Sequence, residues 1–315
     1  MTHATPVRLL LAAALVLGAA ACSSDGSDGS DGSRPDRTTS TRSASTTTSS
    51  STTTPAAEPI ADQTAPKNIN GIEVQGDTLW VASIDADEIL QVRRRDGAIL
   101  ARFPTNGAGP DDLAIAPDGS VYSAGFANGD VGHIDQGRYT VVTKMAAGIN
   151  PIAFSPDGKL FIGTYGPGGK VYEVPLDGSS PVEVATDAPD INAFGILEDG
   201  TIVAPSGGVS GPGAAVAIDP DDGTITQIVG SLPPVAAGTT DADGTPFVLA
   251  NLSGQVIEVD VDAGTSRVVR TVGKGAPFDN LSFAEDGTLY LSTFGAPSIT
   301  EVKPDGATRV IHVGR

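Results

Sequence analysis

Between residues 67 and 315, short runs of alternating apolar and polar residues are separated by tight-turn sequences. One pair of runs, NPIAFSPDGKLFIG, begins at Asn150 and turns at Asp157 and Gly158. Asp-Gly between two such runs is a strong hairpin signal, because both residues tolerate the positive φ angles that a tight hairpin turn requires. The pattern therefore predicts antiparallel β-hairpins.

The hairpin pattern occurs six times. The copies start about 40 to 45 residues apart, at Asn70, Asp111, Asn150, Asn192, Ala236 and Asp279. Two further apolar runs follow each hairpin, as in KVYEVPLDG and SPVEVAT. Four antiparallel strands repeated at this period are typical of a β-propeller blade. The sequence predicts an all-β, six-bladed propeller over residues 67–315, closed either by packing alone or by an added strand near residues 57–60.

The first 66 residues lack this pattern. Arg8 is followed by an uncharged apolar run that ends in small residues before Cys22. Such a run is typical of a secretory signal and is too short to span a bilayer. It resembles the bacterial lipoprotein signal, with ordinary signal cleavage as the alternative. The resemblance implies a signal peptide over residues 1–21, a lipid on Cys22 that anchors the exported protein to the outer face of the membrane, and cell-envelope localisation.

Residues 22–66 are rich in Ser, Thr and Gly. Sequence of this kind buries too little apolar surface to offset the entropy of an ordered chain. We therefore expect a disordered linker between the lipid anchor and the propeller.

Composition excludes several functions. The chain has 38 Asp and Glu residues against 19 Lys and Arg residues, a formal net charge of −19. Nucleic-acid binders neutralise phosphates with basic residues, so no nucleic-acid partner is expected. A single cysteine excludes a disulfide framework or a Cys-rich zinc site. Beyond the signal only His133 and His312 remain and no G-x-S-x-G motif occurs, which argues against a serine hydrolase. We expect a monomer.

The residues that begin the inner strands should form a ring at one mouth of the central channel. This mouth ring comprises Asn70, Asp111, Asn150, Asn192, Ala236 and Asp279. Its carboxylate and amide oxygens are ligands that Ca²⁺ accepts. Asn and Asp also favour strand-entry turns by bonding their own backbone, so a purely structural role is the alternative.

The repeated pattern of two apolar residues, PDG and an LY or LF pair resembles the regucalcin and gluconolactonase family of six-bladed propellers, and NHL-repeat and virginiamycin-B-lyase-like propellers. The lactonase resemblance implies a divalent metal held by a Glu of blade one, Asn residues of blades three and four, and an Asp of blade five that acts as base. Asn150 and Asn192 match. Asn70 replaces the Glu and Ala236 the Asp, so Asp279 and Asp111 are the alternative metal ligands and catalytic carboxylates.

Hydroxyl side chains form a second candidate layer near the mouth. Together with Asn70, the predicted ligand-binding residues are Ser83, Thr164, Ser206 and Thr293. The predicted function is recognition of a small or extended ligand at the channel mouth, around a divalent cation such as Ca²⁺. The alternatives are a metal-dependent lactonase or esterase and a non-catalytic scaffold for protein interactions.

Overall fold

A computed structural model describes residues 57–273 and 275–314. These residues form six separate sheets, each of four antiparallel strands in sequential order. The predicted six-bladed propeller is therefore confirmed. No helix in the described ranges is long and apolar enough to cross a membrane. The predicted signal peptide, Cys22 and most of the predicted linker lie outside the described residues.

The strands of each blade follow one another along the chain. Blade one contains β1 (Ile72–Gln75), β2 (Thr78–Ser83), β3 (Glu88–Arg93) and β4 (Ile99–Pro104). Blade two contains β5 (Pro110–Ile115), β6 (Val121–Gly125), β7 (Asp130–Asp135) and β8 (Arg138–Lys144). Blade three contains β9 (Ile149–Phe154), β10 (Leu160–Thr164), β11 (Gly169–Val174) and β12 (Val182–Ala188).

The second half of the ring repeats this arrangement. Blade four contains β13 (Gly195–Ile196), β14 (Ile202–Ser206), β15 (Gly213–Ile218) and β16 (Ile225–Leu232). Blade five contains β17 (Val235–Thr240), β18 (Pro246–Ala250), β19 (Gln255–Asp260) and β20 (Thr265–Thr271). Blade six contains β21 (Phe278–Phe283), β22 (Leu289–Thr293), β23 (Ser298–Val302) and β24 (Thr308–His312).

Six apolar clusters hold the blades together, with one cluster between each pair of neighbouring blades. The large residues of the second strands, Trp80, Tyr122, Phe161, Phe247 and Tyr290, are all at least nine-tenths buried in these clusters. They pack between neighbouring blades. Because each blade buries one face against each neighbour, the ring places all six inner strands around a common channel.

The ring closes by packing of a complete blade six on a complete blade one. Tyr290 and Ile311 share one apolar cluster with Ile72. The Gly314 amide donates to the Gly97 carbonyl at 2.9 Å, and Arg94 pairs with Asp286 at 2.9 Å. Of the two closures left open by the sequence, packing without an added strand is the one observed.

Residues 57–66 lie against β4 of blade one. The Gln63 side chain accepts a hydrogen bond from the Ile99 amide and donates one to the Ile99 carbonyl, both at 2.9 Å. The Ile60 amide also donates to the Ile99 carbonyl at 3.0 Å. The last part of the predicted linker thus packs against the outer edge of the propeller.

Candidate functional site

Inner strands carry an irregularity at the mouth-ring position. The pairing register shifts between Pro110 and Asp112 in blade two and between Phe278 and Leu281 in blade six. The same shift occurs in blades three and five. A β-bulge places an extra residue on one strand and breaks the alternation of side chains between the two faces. The side chains of two consecutive residues of one inner strand can therefore both face the channel.

Four mouth-ring residues meet as two carboxyl–carboxamide pairs. Asn150 donates from Nδ2 to Oδ2 of Asp111 at 2.6 Å, joining blades two and three. Asn70 donates from Nδ2 to Oδ2 of Asp279 at 3.3 Å, joining blades one and six. The negative charge of Asp279 also raises the pKa of Asp111. The structure thus brings together the predicted residues Asn70, Asp111, Asn150 and Asp279.

The remaining predicted residues are placed differently. Asn192 precedes β13, is half-buried and makes no side-chain hydrogen bond with any described residue. Ser83 is fully buried and donates to the Asn68 carbonyl at 2.8 Å. Thr164 accepts a hydrogen bond from the Lys170 amide at 2.8 Å. Ser206 and Thr293 end β14 and β22, on the same face as the mouth ring.

A second tier of polar residues lies deeper in the channel. The repeat pattern did not predict it. Asn280 of blade six donates from Nδ2 to Oδ1 of Asp112 of blade two at 2.6 Å, across blade one. Ser282 donates to Oε2 of Glu73 at 2.8 Å. The missed signal is the second residue of the DD and DN pairs at positions 111–112 and 279–280. We define Asp112, Asn280, Glu73 and Ser282 as the inner tier.

Gly71 lets the backbones of blades one and two approach closely beside the inner tier. A Cβ atom at this position would lie 2.5 Å from the Asp111 carbonyl oxygen, 2.7 Å from Cα of Asp112 and 3.1 Å from its Oδ1. The Gly71 amide donates to the same Asp111 carbonyl at 2.6 Å. Blade one therefore requires glycine here, because a Cβ atom would collide with the backbone of Asp111 and Asp112.

All four channel carboxyl groups have raised pKa values. Burial raises the pKa of Asp279 to about 6, against the hydrogen bond from Asn70. Burial raises the pKa of Asp112 to about 7, against bonds from Leu113, Ile152 and Asn280. Burial and then the charge of Asp112 raise the pKa of Glu73 to about 8, opposed by the bond from Ser282. Burial and the charges of Asp279 and Asp112 raise the pKa of Asp111 well above its usual range.

No basic side chain within the described ranges forms an ion pair with these four groups. Buried carboxylates are normally paired or hydrogen-bonded by several donors, because burial disfavours the charged form. Carboxyl groups with displaced pKa values inside a channel are typical of functional sites.

The loop that leads into Asp111 is held in place by Asp87. The Asp87 carboxylate accepts hydrogen bonds from Thr105 Oγ1 at 2.5 Å and from the amides of Gly107 and Gly109 at 2.5 and 2.9 Å. Burial opposes the charged form, but these three bonds together lower the pKa of Asp87. The carboxylate of one blade thereby fixes the mouth loop of the next.

Apolar side chains surround the mouth. We call Phe126, Tyr165, Leu252 and Phe294 the mouth collar; they lie in the loops between the second and third strands. The amides of Phe126, Tyr165 and Phe294 donate to the carbonyls of Gly109, Gly148 and Pro277 at 3.0, 2.8 and 2.8 Å. Those carbonyls lie just before Asp111, Asn150 and Asp279 in the chain.

The collar is accessible to a ligand. Tyr165, Phe294 and Leu252 are 42%, 51% and 56% exposed. Burial and the charges of Asp190, Asp111 and Asp279 raise the pKa of Tyr165. The Phe126 and Tyr165 rings are 6.5 Å apart between centroids, in an edge-on arrangement. The mouth therefore combines a carboxyl-rich centre with an aromatic rim.

The lower channel contains a cavity of about 780 Å³. Inner strands of all six blades line it, from Asp112 and Asn280 down to the hairpin turns at Gly76, Gly119 and Asp286. No mouth-ring residue lines it. We call it the turn-face cavity, because it opens on the face opposite the mouth ring.

The described residues do not form a ready-made metal site. Within them, no three His, Cys, Asp or Glu side chains come together in a group that can hold a metal ion. At the mouth, Asn70 and Asn150 present amide nitrogens to the two carboxyl groups. Ca²⁺ takes six to eight oxygen ligands, which this arrangement does not supply.

The fold is shared with several solved structures at low sequence identity. Virginiamycin B lyase from Staphylococcus aureus aligns with a TM-score of 0.61 and 16% identity, over 81% of this chain and 88% of that one. A gluconolactonase from Xanthomonas campestris gives 0.58 and 16%, over 73% and 84% of the two chains. The calcium-binding protein regucalcin from Agrobacterium tumefaciens gives 0.55 and 19%, over 73% and 83%.

These similarities confirm the expected architecture and show the fold alone. No family model matches the chain. No curated protein matches it either. A shared fold does not assign an activity, so the chemistry of the channel depends on its own residues.

Proposed function

We propose that this protein binds a polar ligand, small or extended, at the mouth of its channel. The observation that supports the proposal is that Asp111 and Asp279 both lie at the channel mouth and each accepts a hydrogen bond from a single carboxamide. In the described structure, Oδ1 of each carboxyl group makes no side-chain hydrogen bond, so both oxygens remain for a ligand. A few convergent polar groups within an apolar surround are typical of small-molecule sites.

The ligand class that fits this mouth best is a hydroxyl-rich one, such as a saccharide or sugar lactone. Hydroxyl groups donate to carboxylates and accept from protonated carboxyl groups and amides. The apolar C–H face of a sugar ring can pack on an aromatic side chain such as Tyr165 or Phe294. The fold similarity to a gluconolactonase is consistent with this class.

We also propose that the same carboxyl groups bind a divalent cation, which the sequence predicts. Binding it would require Asp111 and Asp279 to be ionised and the Asn150 amide to turn its oxygen inward. Ca²⁺ added to the mature chain should then raise the unfolding temperature, and Asp279→Asn should remove that increase.

The test is calorimetric titration of the mature chain with a panel of saccharides and aldonolactones, with and without Ca²⁺. At least one compound should bind, and Asp279→Asn should weaken it about tenfold through loss of a charged hydrogen bond. Asp177→Asn is the matched control, because Asp177 lies exposed in a hairpin turn. If Asp279→Asn and Asp177→Asn bind the compound with equal affinity, Asp279 is not part of the site.

Hydrolysis of a sugar lactone is the second candidate function. It is favoured by the pKa of Asp279, about 6, because a general base works best when its pKa lies near the working pH. Acid release from the lactone panel should depend on Asp279 and on Asp111. Binding without acid release would support recognition without catalysis. If no compound binds and none is hydrolysed, the remaining alternative is the non-catalytic scaffold for protein interactions.

We further propose that the propeller is displayed outside the cell on a lipid anchor at Cys22. The supporting observation is the apolar run ending in Ala20 and Ala21 before this cysteine. Metabolic labelling with palmitate should mark the native chain and leave Cys22→Ser unlabelled. Labelling of Cys22→Ser would contradict the anchor.

A further inference from the structure

The turn-face cavity has two chemically different walls. Blades one, two and six contribute the inner-tier residues Glu73, Asp112 and Asn280. Blades three and four contribute an apolar wall formed by Ile152, Phe154, Phe194 and Ile196. The volume of about 780 Å³ lies within the range of small-molecule sites.

The polar lining of the cavity is strongly acidic. Five carboxyl side chains contribute to it, those of Glu73, Asp77, Asp112, Glu285 and Asp286. Among the described residues, the one basic side chain in the lining is that of Arg94, which is already paired with Asp286 at 2.9 Å. A concave surface with a single sign of charge concentrates ligands of the opposite sign.

Glu73 is the group best placed to hold such a ligand. Asp112 already accepts hydrogen bonds from Asn280 and the Leu113 amide at 2.6 and 2.9 Å. Glu73 accepts one side-chain bond, at Oε2 from Ser282, and no described side chain donates to its Oε1. The residue is half-buried and lies in the lining of the cavity.

We infer that the turn-face cavity binds an organic amine, with the ammonium group on Glu73 and the apolar part against the wall of Phe154 and Phe194. An ammonium ion supplies the donor that Glu73 Oε1 lacks, and its positive charge favours the ionised form of Glu73. An anion would meet five carboxyl groups, and a neutral alcohol would supply a weaker donor. This site is separate from the mouth ring and does not depend on the proposed function there.

The test is calorimetric titration of the mature chain with three probes of matched size: 2-phenylethylamine, 2-phenylethanol and phenylacetate. The amine should bind at least about tenfold more tightly than the alcohol, and phenylacetate should not bind. Glu73→Gln keeps the size of the side chain and should weaken the amine about tenfold. Glu198→Gln is the matched control, because Glu198 is exposed on the same face and outside the cavity.

Thr240→Trp provides a variant that leaves Glu73 intact. Thr240 lines the cavity from blade five, so the larger side chain should exclude the amine even if Glu73→Gln does not fold. The inference is overturned if the amine does not bind at millimolar concentration, if the alcohol binds equally well, or if affinity survives in both Glu73→Gln and Thr240→Trp. The saccharide test uses Asp279 and the opposite face, so either proposal can fail while the other stands.

Discussion

Asn70 and Asp279 lie 209 residues apart in the chain and form a hydrogen bond of 3.3 Å at the channel mouth. The bond joins the first blade to the last, so the site and the closure of the ring depend on the same contact. No strand is exchanged between blades one and six. Contacts between side chains and between loops therefore have to stabilise the junction of these two blades.

Replacing Asn70 should therefore weaken both stability and the site. Asn70→Ala leaves buried Asp279 without its donor and should cost about 1–3 kcal/mol in the free energy of unfolding. It should also raise the pKa of Asp279 above about 6. Denaturant unfolding measures the first effect. Asn128→Ala is the control, since Asn128 bonds Asp130 within one loop and should cost less.

The segment that precedes blade one should stabilise the outer edge of the propeller. Gln63→Ala removes three hydrogen bonds of 2.8 to 2.9 Å with Ile60 and Ile99. We expect a loss of about 1–3 kcal/mol, measured by denaturant unfolding. Gln227→Ala, on an exposed outer strand, should change stability little. Equal stability of the two variants would show that residues 57–66 only lie on the surface.

Glu73 should make the folded state less stable as the pH rises. Its pKa is about 8 in the folded protein against an ordinary value of 4.5. The folded state therefore binds this proton more tightly than the unfolded state does. The stabilisation is complete below about pH 4.5 and is lost as the pH rises through about 8.

The Glu73→Gln variant tests this pH dependence. Its unfolding temperature should fall less between about pH 5 and about pH 9 than that of the native chain. Part of the slope should remain, because the pKa values of Asp112 and Asp279 are also raised. Glu198→Gln should retain the native profile. A native slope in Glu73→Gln would mean that Glu73 ionises normally.

The mouth collar should contribute to ligand binding through its exposed rings. Phe294→Ala removes an aromatic side chain that is 51% exposed, in a loop whose Phe294 amide donates to the Pro277 carbonyl, two residues before Asp279. We expect about tenfold weaker binding of whichever saccharide or lactone the mature chain accepts. Val182→Ala, which shortens an equally exposed apolar side chain on β12, should leave the affinity unchanged. Unchanged affinity in Phe294→Ala would exclude the collar from the site.

The fold could be predicted because its signals are local and repeated. The turn at Asp157 and Gly158 is visible in a few residues, and Gly158 has the positive φ of 87° that such a turn requires. The mouth ring was predictable for the same reason, since the start of each inner strand is set by the repeat. Asn70, Asp111, Asn150 and Asp279 follow from that position alone.

The inner tier could not be predicted in this way. Strict alternation would turn Asp111 and Asp112 to opposite faces, but the bulge between Pro110 and Asp112 breaks that alternation. Asp112 and Asn280 also lie 168 residues apart, on blades that are not adjacent, so no local pattern predicts their contact. Likewise, the face on which the cavity opens depends on how side chains from six blades pack, which a repeat pattern does not contain.

A pH titration of the side-chain carboxyl resonances by NMR shows whether the channel concentrates carboxyl groups with raised pKa values. We expect pKa values of about 6 for Asp279, about 7 for Asp112 and about 8 for Glu73. Exposed Asp and Glu residues of the hairpin turns should titrate near about 4 in the same spectra. Titration of all three channel groups near about 4 would show that the channel leaves their ionisation unchanged.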